Sequence, residues 1–491
     1  MENMLYYARK KITMDKFSSQ VKISANSVVK KVLNVEPNAV INSCECVNGI
    51  VSISGKIKAT VVYVNQNNLI ESTELYFDFI EKQQITETID DIFAEDKIEM
   101  MSVNFSGMDI ICIFEHNVCL NGNYKYEIPS LIEDEQSFVS KKTQFNATKY
   151  ILSCDDNFVV ADEGETNLNN MTVLSANATV VLTEVIALVD KVSIEGKIIS
   201  NLSYLDEQGV GQYSKEFDFK QEISASGVVP NMIVNAFVGV KDVTSSAEDN
   251  DGKTNLVISV SLYAKAMIYE DCDYEVIDDM FSLKNVIQTK FDYIEASSFI
   301  GLKNYNDTFM NSTDISKIEN FDDILGVYSP KLTIDSFEEY DDKCYLIANI
   351  ESIALYKSGE EINELKTTLP VKIEVLKEQK ERVGGAFGVP QITSYKVKAG
   401  KNLEIVYSVN YNVSFEKSVN VKYLQSYELK SEKNDNEGGI KIYITREGET
   451  LFDVAKSLNI KPETITSQNN VADYFEQGEK IYVYSPINLY N

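Results

Sequence analysis

The chain has 491 residues, with 46 Lys and Arg against 75 Asp and Glu, which gives a formal net charge of −29 at pH 7. A nucleic acid or an anionic membrane surface would repel this charge, so the composition argues against both as partners. A globular chain of this length is expected to contain about three to four domains. No stretch of about eighteen apolar residues occurs, so we expect no membrane insertion.

The N-terminal segment and the cysteines bear on the compartment. Residues 1–20 carry Arg9, Lys10 and Lys11 without a following apolar segment, so we expect no signal peptide. The cysteines are odd in number and widely spaced, which favours buried free thiols over a disulfide framework. They are Cys44, Cys46, Cys112, Cys119, Cys154, Cys272 and Cys344. Together these features predict a cytoplasmic protein.

A strand pattern is repeated along the chain. Residues 51–63 have the sequence VSISGKIKATVVY, residues 192–204 have VSIEGKIISNLSY, and a weaker copy at 344–356 has CYLIANIESIALY. Apolar and polar residues alternate in the first copy, which predicts a half-buried strand. Gly55, Gly196 and Ala348 share one position in the copies, and a small residue in mid-strand indicates a bulge or a close backbone approach.

A second strand is expected about fifteen residues after each copy, by the spacing of a hairpin. The matching segments are FDF at 77–79, FDF at 217–219 and LPV at 369–371. Alternating strands such as 256–263 and 403–415 follow. We therefore predict a mainly β protein with three tandem antiparallel domains at 20–140, 160–285 and 315–430.

His116, the single histidine, follows an apolar run at 110–114. Ser-His-Asp catalysis, Cys-His catalysis and His-ligated zinc sites all need imidazole, so a single histidine restricts these chemistries. Cys112 and Cys119 would lie on opposite faces of a strand, which makes them poor metal ligands together. We expect a structural role for His116, and no catalytic residue, metal or cofactor. No G-x-S-x-G or H-E-x-x-H motif is found. A glycosidase with paired carboxylates stays open, because the chain has 75 acidic residues.

The pattern changes after a charged linker at 431–439. A short strand at 440–445 is followed by a helix that begins at Thr450, where Asp453 completes the N-cap pattern. Pro462 occupies the first turn of a second helix, which is expected to end near Asn469 and Asn470, since asparagine tolerates the left-handed conformation. A last strand at 480–484 completes a βααβ module.

This module resembles the LysM domain family over residues 440–486. The resemblance is carried by a G-E-T-L turn at 448–451, the Val454-Ala455 pair, Asn469 and Gly478, with Glu449 where the family usually has Asp. It implies that the turn and the segment after the second helix lie side by side and form a groove that binds a protein partner or a glycan. The groove residues would be Gly448, Glu449, Thr450, Leu451, Asn469, Asn470, Val471 and Ala472. The alternative is that Thr450 and Asn469 only cap helices.

The three repeats are similar to the SPOCS, or spore coat-associated, domain. Tandem SPOCS domains followed by a LysM domain resemble a family of spore coat morphogenetic proteins. The resemblance implies a non-enzymatic adaptor in the mother-cell cytoplasm, recruited to the forespore surface and the spore coat. Its expected partner is a coat ATPase like stage IV sporulation protein A, bound through the LysM module, with other coat proteins as further partners. The alternative is a cell-wall protein that binds peptidoglycan or another N-acetylglucosamine polymer.

Overall fold

The computed structural model describes residues 2–85, 90–131, 137–166, 171–206, 209–250, 253–340, 342–359, 361–376, 381–384, 391–433, 439–471 and 474–485. Within these ranges antiparallel sheets dominate, and two short helices lie near the C terminus. The mainly β fold class predicted from the alternating sequence pattern is therefore confirmed.

The strands form three consecutive units and a C-terminal module. Unit one, residues 2–131, contains β1 (Glu2–Thr13), β2 (Phe17–Ser24), β3 (Val29–Val47), β4 (Ile50–Asn65), β5 (Ile70–Gln84), β6 (Asp90–Ser106) and β7 (Asp109–Leu131). Unit two, residues 138–282, contains β8 (Phe138–Thr166), β9 (Thr172–Leu188), β10 (Lys191–Asp206), β11 (Gly209–Ser224), β12 (Ile233–Asn250) and β13 (Lys253–Ser282).

Unit three, residues 285–432, contains β14 (Asn285–Asp314), β15 (Phe321–Glu339), β16 (Lys343–Ser358), β17 (Glu361–Leu376), β18 (Glu381–Gly384), β19 (Gln391–Ala399) and β20 (Asn402–Glu432). The module, residues 439–485, contains β21 (Gly439–Ile444), α1 (Leu451–Leu458), α2 (Pro462–Gln468) and β22 (Lys480–Ser485).

Each unit packs two sheets around an apolar core. One sheet has three strands, with orders β3-β4-β5, β9-β10-β11 and β15-β16-β17. The other is built around the last strand of the unit, which is β7, β13 or β20. Three strands lie mostly outside the sequence-based domain ranges: β1 precedes residue 20, β8 spans residues 138–166 and β14 spans residues 285–314. Each of them pairs with the last strand of its own unit.

The repeated segments lie in the middle strands β4, β10 and β16, and the small residue at the shared position has a structural reason. A β-carbon on Gly196 would lie 2.6 Å from the Val181 carbonyl oxygen and 2.7 Å from the Phe219 ring. Gly55 is opposite Phe79 in the same way. Ala348 is instead opposite Val371, whose smaller side chain leaves room for a methyl group. A bulge in the neighbouring strand accompanies each position, so both sequence-based expectations are confirmed.

A second bulge in each unit places a leucine outside the sheet ladder. Leu33, Leu174 and Leu325 are each skipped by the pairing register of β3, β9 and β15. All three leucines pack into one apolar cluster shared by the three units. The other members of this leucine junction are Val62, Val64, Ile70, Leu205, Val210, Tyr328, Ile353, Leu355 and Ile362. The bulges therefore turn these side chains from the ladders toward the neighbouring units.

The other sheets meet at a second apolar junction. Its buried members come from the long strands of all three units and are Tyr6, Ile128, Phe145, Ala147, Tyr274, Val276, Ile294, Ala296, Val421 and Tyr423. The Tyr6 hydroxyl accepts a hydrogen bond from the Ser297 amide at 3.1 Å. Burial is the main reason that the pKa of Tyr6 is raised. The three units are thus joined by packed apolar surface at two places.

Candidate docking site in the C-terminal module

The module places its two helices on one side of a two-stranded sheet. β21 pairs antiparallel with β22, and the side chains between sheet and helices are buried or half-buried. The core residues contributed by the module are Val454, Ala455, Ile465, Phe475, Ile481 and Val483. The predicted βααβ arrangement is present, and it fixes the positions of the two loops that the sequence suggested as a groove.

The first helix begins where the sequence predicted. Thr450 has an extended backbone, and its hydroxyl accepts a hydrogen bond from the Asp453 amide at 3.3 Å. The Asp453 carboxylate accepts from the Thr450 amide at 2.9 Å, which completes the capping box. Burial opposes the ionised form of Asp453, but the hydrogen bonds that its carboxylate accepts from the Thr450 hydroxyl and amide outweigh burial and lower the pKa of the carboxyl. Thr450 therefore has a structural role as an N-cap.

The turn before the helix is held by Glu449. Its carboxylate accepts hydrogen bonds from the Tyr443 hydroxyl at 2.9 Å and from the Arg446 amide at 2.8 Å. Gly448 has a φ of 80°, a conformation that favours glycine, and it is exposed at the tip of the turn. Glutamate at position 449 thus fixes the turn from within the module.

Asn469 ends the second helix, but its backbone is extended and not left-handed. The left-handed expectation was therefore wrong at this position, and Asn459 after α1 adopts that conformation instead, with a φ of 56°. The Asn469 side chain bonds to the edge of β22: its amide donates to the Tyr482 carbonyl at 2.7 Å, and its oxygen accepts from the Tyr482 amide at 2.9 Å. This pairing ties α2 to the sheet and explains why asparagine suits the position.

The two loops lie side by side. The Phe475 amide donates to the Glu449 carbonyl at 3.0 Å, and Thr450 forms a β-bridge with Tyr474. Asn470 is exposed, as is Gly448. Leu451 and Val471 are half-buried and pack against the module core, and Ala472 lies outside the described residues.

Tyr474 is a surface aromatic residue that the sequence analysis missed. Its side chain is 71% exposed, and the β-bridge to Thr450 places it beside the turn. Tyr474 comes from the far end of the second loop, which is distant from Gly448 in the sequence. The expectation that this segment returns to the turn was the signal that could have found it.

The module also packs on unit two, a contact that the linker composition did not suggest. Phe281 of β13 joins the module core and meets Phe452 of α1 edge to face, with 5.5 Å between ring centroids. The Lys456 ammonium lies 2.6 Å from the Asp279 carboxylate. The Asn459 side chain donates to the Leu283 carbonyl at 3.0 Å. One side of α1 is therefore covered by the body of the protein.

His116 belongs to a hydrogen-bonded chain inside unit one. Its Nδ1 lies 2.5 Å from an Asp96 carboxylate oxygen, and its Nε2 lies 2.9 Å from the Ser19 hydroxyl. The order is that of a Ser-His-Asp triad, which sequence reasoning missed because the three residues are far apart in the chain and share no motif. Phe17 stacks on the imidazole at 4.3 Å, and Phe79 packs beside it at 4.8 Å.

The His116 and Asp96 side chains have no solvent exposure. A hydrolase needs an accessible nucleophile and donors aimed at a developing oxyanion, whereas rings cover this imidazole. The surroundings favour the structural role expected from the sequence, in which both imidazole nitrogens are hydrogen-bonded inside the sandwich.

The cysteines are free thiols in the structure. Burial raises the pKa of Cys44 to about 12 and that of Cys112 to about 11, so both thiols are poor nucleophiles at neutral pH. Across the described ranges, no group of three or more His, Cys, Asp or Glu side chains is arranged to hold a metal ion. Among the helices that the structure describes, none is long and apolar enough to span a membrane.

The architecture defines a protein of consecutive antiparallel β units that carries a small βααβ module. Within it, residues 171–248 match the family described as SipL, SPOCS domain. The chain therefore contains a SPOCS domain, as the repeat in β10 and β11 suggested, and this domain associates it with sporulation and the spore coat. Comparisons with curated proteins and with solved structures gave no match.

Proposed function

We propose that this protein is a non-enzymatic adaptor of spore coat assembly that binds a coat ATPase, like stage IV sporulation protein A, through its C-terminal module. In this proposal, units one, two and three are tandem SPOCS domains and the module is a LysM domain. The protein works in the mother-cell cytoplasm and is recruited to the forespore surface. The SPOCS match within unit two supports the link to the coat.

The observation that carries the proposal is the contact between the two loops of the module. The bridge between Thr450 and Tyr474 brings exposed groups of both loops to one surface, while internal hydrogen bonds of Glu449 and Asn469 hold the loops in shape. A preformed surface of this kind loses little conformational entropy on binding a partner. One side of α1 is already occupied by Phe281 and Asp279 of unit two.

The test is binding of the full chain to the purified ATPase, measured by calorimetry. Replacing exposed Asn470 by Arg, or Tyr474 by Ala, should weaken binding by about tenfold, since a few central residues dominate most interfaces. The matched control is Thr466→Arg, at an exposed position of α2 outside the groove. Full-length protein that does not bind the ATPase, or groove variants that bind as tightly as the control, would contradict the proposal.

The second candidate is binding of peptidoglycan or another N-acetylglucosamine polymer, and Tyr474 favours it. An exposed aromatic ring beside the turn offers the apolar surface on which a sugar ring stacks. Sedimentation with insoluble peptidoglycan separates the two functions. An adaptor stays in the supernatant, whereas a glycan-binding protein sediments and is released by Tyr474→Ala.

A further inference from the structure

The outer face of the module sheet is apolar and uncovered. Its side chains alternate with half-buried residues along β21 and with the buried Ile481 and Val483 along β22, and each is at least 48% exposed. They are Ile440, Ile442, Ile444, Tyr482 and Tyr484, which we call the sheet face. Ile440 is paired with Tyr484 and Ile442 with Tyr482, so the residues form one continuous surface. Contiguous apolar surface of this kind is typical of interaction sites.

The fold of the module does not need this surface. The helices cover the inner side, where Ile481 and Val483 are buried, and the contacts with unit two run through the helix layer. Lysine or threonine would maintain the same strands while avoiding exposure of apolar area to water. Neither the folding of the module nor its packing on unit two therefore requires the apolar residues of the sheet face.

The two edges of the sheet differ. The β22 edge is closed by side chains of α2: Gln468 exchanges hydrogen bonds with the Tyr484 backbone, and Asn469 does the same with Tyr482. β21 pairs with β22 alone within the described part of the chain. An edge strand of this kind accepts an added strand from a partner, which gains main-chain hydrogen bonds.

Charge indicates which partner fits. Thr445 follows β21 and donates to the backbone carbonyls of Glu476 and Glu479, so these acidic residues lie at the Ile444 end of the sheet face. Glu447 is also exposed near this end, against the cations Arg446 and Lys480. The whole chain carries −29, so a second copy would be repelled and a basic partner attracted.

We propose that the sheet face docks an extended partner segment that adds along β21, with apolar side chains on one face and Lys or Arg toward Glu476 and Glu479. This surface is distinct from the groove between the loops. The inference deepens the proposed function and rests on it only for the identity of the natural partner. Strand addition fills the open edge, and the apolar side chains of the added strand pack as cross-strand neighbours beside those of β21.

The first experiment uses a synthetic probe, a labelled peptide of alternating valine and lysine, and the full chain at physiological salt. Fluorescence anisotropy should show binding that Ile442→Ser weakens by about tenfold. Glu476→Lys, which keeps the hydrogen bond from the residue 476 amide to the Glu479 carboxylate, should weaken it severalfold through lost attraction. The matched control is Ile80→Ser, because Ile80 is an exposed isoleucine of β5 and is 70% exposed.

Binding that is equal in the Ile442 and Ile80 variants would overturn the inference, as would equal binding of a peptide of valine and glutamate. The same variants are then tested against the coat ATPase. If the peptide binds the Ile442 variant more weakly than the Ile80 variant but the ATPase does not bind the full-length protein, the sheet face is a docking site and the proposed partner is wrong. If the ATPase binds and Ile442→Ser changes the affinity for neither the peptide nor the ATPase, the proposed function is supported and docking at the sheet face is wrong.

Discussion

The leucine junction of the body and the sheet face of the module are both apolar surfaces outside a sandwich or module core, but only one is covered. In the body, Leu33 and Leu174 are buried against the neighbouring units. In the module, Ile440 and Ile442 point to solvent. The difference teaches that bulges in the units create contacts within the chain, whereas the regular sheet of the module leaves its apolar side for another molecule.

The largest effect is expected where the module meets the body. Phe281→Ala removes a buried ring and should cost about 4 kcal/mol in the docked state, within the range for buried phenylalanine. Hydrogen exchange of the α1 amides in the full chain should become faster. Phe105→Ala, at a partly exposed phenylalanine of β6, is the control, and unchanged α1 protection in the Phe281 variant would contradict the docked arrangement.

The second largest loss of stability is expected at the leucine junction. Leu174→Ala should destabilise the body by about 3 kcal/mol, because the cavity is bordered by side chains of all three units. Denaturant unfolding followed by tyrosine fluorescence measures the loss. Leu69→Ala is the matched control, since Leu69 is 58% exposed. Similar unfolding of the two variants would show that the units do not meet at this cluster.

Within unit two, Gly196→Ala should destabilise by about 2 kcal/mol through overpacking against Phe219 and the Val181 carbonyl. Adding Phe219→Val, which copies the Ala348 and Val371 pair of unit three, should restore part of the loss. The carbonyl contact remains, so full recovery is not expected. Gly400→Ala, where a methyl group meets open space, is the control for thermal unfolding. No rescue by Phe219→Val would disprove the pairing.

In the module, Thr450→Ala removes the cap of α1 and should lower the free energy of unfolding by about 1 kcal/mol. Thermal unfolding of the full chain measures this loss.

The contribution of Asp453 to stability depends on pH. Because its folded pKa is lowered from the ordinary value of 3.8, its contribution is present above that value and is lost as the pH falls through the folded pKa. Asp453→Asn should therefore shift unfolding at neutral pH and have little effect in acid. A constant difference between the variants at all pH values would contradict the capping account.

The smallest effect is expected at the sheet face. Ile442→Ser should change the free energy of unfolding by no more than about 0.5 kcal/mol, because the side chain is already in water. Circular dichroism during heating checks this value. If Ile442→Ser lowered the free energy of unfolding as much as Leu174→Ala, the sheet face would be covered in the free protein.

The sequence predicted local structure better than long-range contacts. Period-two alternation and the shared small residue identified the middle strands β4, β10 and β16, and the pattern of Thr450 with Asp453 identified the start of α1. These signals lie within a few residues of each other. The contact between Phe281 and Phe452 and the chain from Ser19 to Asp96 join distant segments, and no local pattern encodes such pairs. The bulged leucines were missed because a bulge looks like a simple break in alternation.

Hydrogen–deuterium exchange of the full-length protein with and without the purified coat ATPase is the most direct test of the central claim. The account predicts new protection in β21 and β22 and in the loops around Gly448 and Asn470, with the sheets of the three units unchanged. Protection confined to the units, with the module exchanging as in the free protein, would contradict it.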